Sequence, residues 1–377
     1  MQLSMETLEW VAAKTGSTLQ GLAQNLYTRN EVVSDIVKGY LTPTEIRKIS
    51  EYAKVPFGFL FLQHPPQAYS PDISLVDFRT VNNSQPLSKD FIEIYKDIEH
   101  KQTWYLEYLS SIDAPKLEFV GRFKDNSSYS TLEVAENIRK TIGISNIAAN
   151  IPNSEDYYNA LVSYCEDIGI LIFKNSMVIN STRRLLNTDE FRGFVIADEY
   201  APVVFINGND AKYANIFTLA HELAHIWLGE SGISDVDVRS NNAAEIRCNA
   251  IAAEVLAPTD EFIQRWNNLE ATLRQKISAL NKYFKVSELA IARIALVNER
   301  IPYDLYNDIY AETMERVRIQ KAKNKDKEVR LPLRTMLPIK NSRRLTETIL
   351  GLMKNNSIGP SEAATLLNTS AAKVISL

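Results

Sequence analysis

Phe217-Thr218-Leu219-Ala220-His221-Glu222-Leu223-Ala224-His225-Ile226-Trp227-Leu228-Gly229 runs without a helix breaker until its closing glycine. Helical periodicity stacks His221 and His225, four residues apart, on one face, where two imidazoles can hold a single zinc ion. Glu222 follows the first ligand, beside the metal without joining it, and is placed to take a proton from the attacking water and pass it to the leaving amine. Two histidines packed on an amphipathic core helix would be the plainer reading. The chain has only four histidines, His64, His100, His221 and His225, and half of them fall at this spacing.

A catalytic zinc usually takes three protein ligands. No histidine follows His225, which excludes a third imidazole downstream and points to a carboxylate. Asp235 and Asp237 lie in the next loop, Glu245 near the start of the next helix, and Glu254 later in it. Glu245 and Glu254 are nine residues apart, about half a turn out of phase, so only one can face the metal. Glu245 is the better placed, and its spacing of 24 residues from His221 resembles that of thermolysin-like gluzincins.

Upstream of the motif, Ile170–Phe173 reads as a short buried strand. Phe194–Ile196 and Val203–Ile206 are apolar runs around Asp198-Glu199-Tyr200-Ala201-Pro202, as in an antiparallel pair. Helices are expected over Lys212–Leu228, stopped by Gly229, and over Asn242–Leu256, stopped by Pro258. Strands followed by helices make an α+β pattern. A long helix from Ser88 to Ile112 and shorter ones at Thr131–Thr141 and Tyr157–Asp167 make the whole mostly helical. An extended substrate is expected to add itself to a sheet edge near Phe194–Ile196 or Val203–Ile206.

Further out, residues 1–66 read as four short helices, Glu6–Lys14, Thr18–Leu26, Asn30–Lys38 and Thr44–Ala53. Six basic and six acidic residues leave this module neutral, poorly suited to phosphate binding on charge alone. Helix-turn-helix-like elements recur at Lys276–Leu296 and Thr346–Leu377. Between them, residues 316–344 hold eleven Lys/Arg against Asp326 and Glu328, a net +9 within a chain of net charge −4. Such a run is either a nucleic-acid contact or a solvated helix face. The divisions expected are 1–66, a helical connector at 67–130, a core at 131–268 and a helical C-terminal region at 269–377.

The 377 residues, 45% hydrophobic and 23% charged, exclude a fibrous or disordered protein. No apolar run is long enough to span a membrane and Met1–Trp10 has no signal-peptide pattern. Cys165 and Cys248 are too few for a disulfide framework. A cytoplasmic protein is the expectation.

Thr218–His225, followed by Glu245-Ile246-Arg247-Cys248-Asn249 and Ala252-Ala253-Glu254-Val255-Leu256-Ala257-Pro258, resembles the ImmA/IrrE family of zinc metallopeptidases. The N-terminal helices with their Phe61-Leu62-Gln63-His64-Pro65-Pro66 close resemble an Xre-type helix-turn-helix domain, and Asp77-Phe78-Arg79-Thr80 extends the likeness. The resemblance implies a gluzincin-like endopeptidase core with one zinc per chain, held by His221, His225 and Glu245, with Glu222 catalytic and Asn249 placed to orient His221. It also implies a protein substrate, an Xre-type repressor whose cleavage derepresses mobile-element, phage or stress genes. The competing expectation is a DNA-binding regulator or toxin–antitoxin component, contacting DNA through its helix-turn-helix-like regions, with a structural or silenced zinc site. The transition-state stabiliser has no histidine to supply it. Tyr213, Arg239 and Arg247 are the candidates for that role, without support from their spacing.

Overall fold

The computed structural model describes residues 1–15, 17–53, 55, 57–64, 75–77, 87–124, 129–144, 150–234, 242–323 and 332–377. It divides into two compact units, Met1–Ser74 and Leu75–Leu377.

In the first unit, helices Met5–Lys14, Leu19–Leu26, Asn30–Val37 and Pro43–Ala53 are followed by a short 3-10 turn, Phe57–Phe61. The apolar positions that recur at helical spacing, among them Leu8, Val11, Leu22, Ile36, Ile46 and Ile49, are those that meet in its core. Thr18 caps the second helix through the Gly21 amide, and the N-terminal ammonium donates to the Leu41 carbonyl. Pro65, Pro66 and the segment Phe78-Arg79-Thr80 lie outside the described residues.

The second unit is α+β and mostly helical, built on a five-stranded mixed sheet in the order β1-β5-β3-β4-β2. Its strands are β1 (Val76–Asp77), β2 (Leu171–Asn175), β3 (Gly193–Ile196), β4 (Val203–Asn207) and β5 (Gly232–Ser234). β3 pairs antiparallel with β4, Phe194 opposite Phe205, and also antiparallel with β5, Gly193 opposite Ser234. β2 and β4 are parallel, as are β1 and β5.

Alternation along the strands sorts the side chains onto two faces. Phe194 and Phe205 stack, and Phe194 also meets Phe91 and Tyr95 of the long helix Lys89–Ser111. Val195, Val204 and Ile206 join the core cluster that contains the histidine-bearing helix, Lys212–Leu228. Strands β2, β3 and β4 are therefore buried on both faces, which is why they read as unbroken apolar runs.

One expectation needs correction. Phe194–Ile196 and Val203–Ile206 cannot receive an extended substrate at a sheet edge, because β3 lies between β5 and β4, and β4 between β3 and β2. Their backbone donors and acceptors are consumed by neighbouring strands. The sheet margins are β1 and β2, and β2 is packed by the helices Leu333–Asn341 and Arg343–Lys354.

The basic segment is used in part for internal ties. Arg316 bonds Glu288, Arg334 the Leu377 carbonyl, Arg343 both Glu166 and Asp167, and Arg344 the Tyr105 hydroxyl. Lys325, Lys327 and Arg330 lie outside the described residues. Among the described residues, no helix is long and apolar enough to cross a membrane.

Candidate metal centre

The helix Lys212–Leu228 ends where the sequence placed its stop. Gly229 takes the left-handed conformation, φ 70°, and the Gly229 and Glu230 amides return to the carbonyls of Ile226 and His225. The Ile226 and Trp227 carbonyls also accept from the amides of Gly121 and Phe123, so the end of the helix is capped by a crossing loop. A Cβ on Gly229 would lie 3.0 Å from the Gly121 Cα, so the crossing needs glycine on steric as well as conformational grounds.

This turn has a chemical consequence. It folds Glu230 back over the helix, so that its Oε2 lies 3.3 Å from His225 Nδ1. On the other side, the helix Ala243–Leu256, capped by Asn242, presents Glu245, Cys248 and Asn249 on one face at i, i+3 and i+4. Asn249 Oδ1 lies 3.0 Å from His221 Nδ1 and Cys248 Sγ 3.5 Å from His225 Nδ1. Both ring Nδ1 atoms are thus engaged by acceptors, which fixes for each neutral ring the tautomer whose Nε2 carries a bare lone pair.

The two bare nitrogens face each other and Glu245. His221 Nε2 and His225 Nε2 are 3.1 Å apart, and the Glu245 carboxylate oxygens lie 3.1 Å from His225 Nε2 and 3.2 Å from His221 Nε2. All three side chains are fully buried. Three lone-pair donors packed so closely away from water require a shared positive charge. Tetrahedral zinc with bonds of about 2.0–2.1 Å separates its ligand atoms by about 3.3 Å, so the donor set fits in type, number and spacing.

Electrostatics point the same way. Burial pushes His221 down, against the pull of Glu245. His225 is held well above its usual value; burial opposes this, but Cys248, Glu230 and Glu245 outweigh it. Glu245 falls to about 2, because both imidazoles overcome its desolvation.

Glu222 is buried with both carboxylate oxygens unpartnered. Burial raises it to about 8, with Glu245 pushing the same way and His225 opposing. A cation among the three donors would pull it back towards neutrality, the range a general base requires. Space for this carboxylate comes from Gly193 of β3, where a Cβ would stand 2.6 Å from Glu222 Oε1.

The structure therefore brings the buried His221, Glu222, His225 and Glu245 and the half-buried Asn249 into one cluster. Glu254 turns away and caps the next helix through the Thr259 amide and hydroxyl. Asp235, Asp237 and Arg239 lie outside the described residues. Tyr213 sits two turns before His221, about 12 Å along the axis, and Arg247 donates to the Tyr129 carbonyl, so neither is placed as a transition-state donor. Glu230 and Gly193 were not read from the sequence. The Gly229 stop held a clue to Glu230, since such a turn sends the following residues back over the last helical turn.

Residues 165–295 match the family Peptidase_M78, described as the IrrE N-terminal-like domain. The matched span carries the sheet strands β2 to β5, both site helices and every residue of the cluster. The match supports a metallopeptidase-type function, in keeping with a resemblance first read from the two motifs. A comparison with curated proteins finds no match.

Proposed function

We propose that this chain is a zinc-dependent endopeptidase whose substrate is a protein, an Xre-type repressor. The observation that carries the hydrolytic reading is the buried trio of His221, His225 and Glu245 with a second, unpartnered carboxylate, Glu222, beside it. The Peptidase_M78 match supports it independently. The repressor as substrate rests on the resemblance of the motifs and of the N-terminal helices.

A zinc ion held by the trio would polarise the scissile carbonyl and make a water acidic enough to ionise near neutral pH. The chain's own residues do the rest. Asn249 and Glu230 hold the two imidazoles in the ligating tautomer. Glu222, fixed between the helix and β3, accepts the proton from water and delivers it to the leaving amine. Burial excludes bulk water and strengthens each of these interactions.

The test is zinc stoichiometry together with cleavage of a repressor encoded beside this gene. Glu222→Gln should retain one zinc per chain and lose about 10²–10⁴-fold in kcat/KM. A purified chain that takes up no zinc, or cleavage that survives Glu222→Gln, overturns the reading.

A further inference from the structure

Glu222 is not alone at this site in being buried without a partner. The hydroxyl of Ser234, the last residue of β5, is also fully buried and, like both Glu222 oxygens, has no hydrogen-bond partner.

Strand register says which way this serine faces. Ser234 stands directly opposite Gly193 across the antiparallel pair of β5 and β3. Opposed residues of such a pair put their side chains on one face of the sheet, with Cβ atoms about 4.5–5.5 Å apart. At Gly193 that face is the one towards the histidine-bearing helix, because a Cβ there would lie 2.6 Å from Glu222 Oε1 and 2.9 Å from Thr218 Cγ2. Val195, two residues along β3, joins the core cluster of the same helix. The Ser234 side chain is therefore turned towards Glu222 across the room that the glycine leaves. Its dipole favours the carboxylate anion, although the two groups stop short of a hydrogen bond.

The two orphans are chemically complementary. A carboxylate that is to accept a proton must first stand as an anion, which is unfavourable in a buried place without donors, and no donor reaches either Glu222 oxygen. A serine hydroxyl carries one donor, which rotates to suit its acceptor. Left unpartnered, the same hydroxyl destabilises the fold relative to an alanine of nearly the same shape.

We propose that Ser234 is a positioning residue for the general base: its hydroxyl donates to one oxygen of the Glu222 carboxylate and holds it, leaving the other free to take the proton of the attacking water. For the reaction itself this rests on the endopeptidase reading. Ser234 acts through Glu222 and touches none of the three metal-facing side chains, so its effect falls on turnover and not on zinc or substrate binding. It disappears once Glu222 is replaced.

The test is a double-mutant cycle of Ser234→Ala and Glu222→Gln in the full chain. Ser234→Ala should leave the urea midpoint of the metal-free chain at or above that of the parent, and zinc affinity, by chelator competition, within about twofold. On zinc-loaded chains the first probe is acetohydroxamate, a chelator that gives up its proton on binding and so reports on a neighbouring base without turnover. Ser234→Ala should weaken its binding about tenfold, the strength of one hydrogen bond to a charged group. Glu222→Gln should weaken it at least as much, and the double variant no further. The second probe is unfolded casein, on which Ser234→Ala should lower kcat about tenfold with KM changed less than about twofold, and should cause no further loss in Glu222→Gln. The proposal is overturned if Ser234→Ala binds acetohydroxamate as tightly as the parent, if the two losses multiply, or if the variant loses urea resistance and zinc affinity together, which would mark Ser234 as packing alone. Coupled losses of hydroxamate binding in zinc-loaded chains that cleave neither casein nor the neighbouring repressor uphold the pairing of Ser234 with Glu222 and remove the peptidase reading instead.

Discussion

Glu230 and Asn249 each accept from the Nδ1 of a histidine whose Nε2 faces the trio, and this makes them measurable separately from the ligands. Glu230→Gln should weaken zinc binding by about 10–100-fold, as should Asn249→Ala, read by competition with a chelator of known affinity. The metal-free chain holds His225 protonated above its usual range, so zinc must displace that proton. Zinc affinity should therefore rise about tenfold per pH unit below the His225 pKa, with matching proton release in calorimetry across buffers of different ionisation enthalpy. Gly193→Ala puts a methyl 2.6 Å from Glu222 Oε1, 2.9 Å from Thr218 Cγ2 and 3.0 Å from the Phe205 carbonyl. Either β3 or Glu222 must move. We expect a loss of about 1–3 kcal/mol in urea unfolding and a fall in kcat larger than the change in KM.

At the scale of elements, what was legible and what was not follows from the range of the interactions. Helix limits set by local chemistry were readable: Gly229 and Pro258 as stops and the breaks between the N-terminal helices all act within a turn. The antiparallel pair of β3 and β4 announced itself through two apolar runs around a turn. β1 and β5 did not, because two- and three-residue strands carry no periodicity and are defined only by partners far away in sequence. Misplacing the free edge on β3 or β4 was the direct result. A second non-local tie is Lys101, which is 2% exposed on the long helix and donates to Asp97 and to Asn341 of the C-terminal helices. Burial lowers its pKa, against the pull of Asp97. Lys101→Ala should destabilise the protein by about 2–4 kcal/mol, since it strands polar partners, and the apolar Lys101→Met by less. A folded pKa below the unfolded 10.5 means that the penalty for burying the ammonium is present at neutral pH and is relieved as pH rises through the folded value. The parent should gain on Lys101→Met in alkaline solution, as measured by paired denaturation curves.

For the whole molecule, the trio joins two helices that the sheet and the core cluster hold in place, within a unit whose core extends from Phe119 to Ile309. The unit Met1–Ser74 has a separate core of its own. Metal binding should therefore stabilise one unit and not the other. Zinc held at a thousand times its dissociation constant adds about 4 kcal/mol to the folded state it binds. Without it, the buried site relies on Glu245 as an anion, whose depressed pKa contributes stability above the usual 4.5 and loses it as pH falls towards 2. Scanning calorimetry of the full chain with zinc or with chelator should show the transition of Leu75–Leu377 falling by several degrees on chelation, and falling further below about pH 4. The isolated fragment 1–74 should melt at the same temperature in both conditions. If chelation shifted the fragment, or left the larger unit unmoved, zinc would have no structural claim on His221, His225 and Glu245. Their convergence would then be the packing of a core, with Glu222 buried to no purpose.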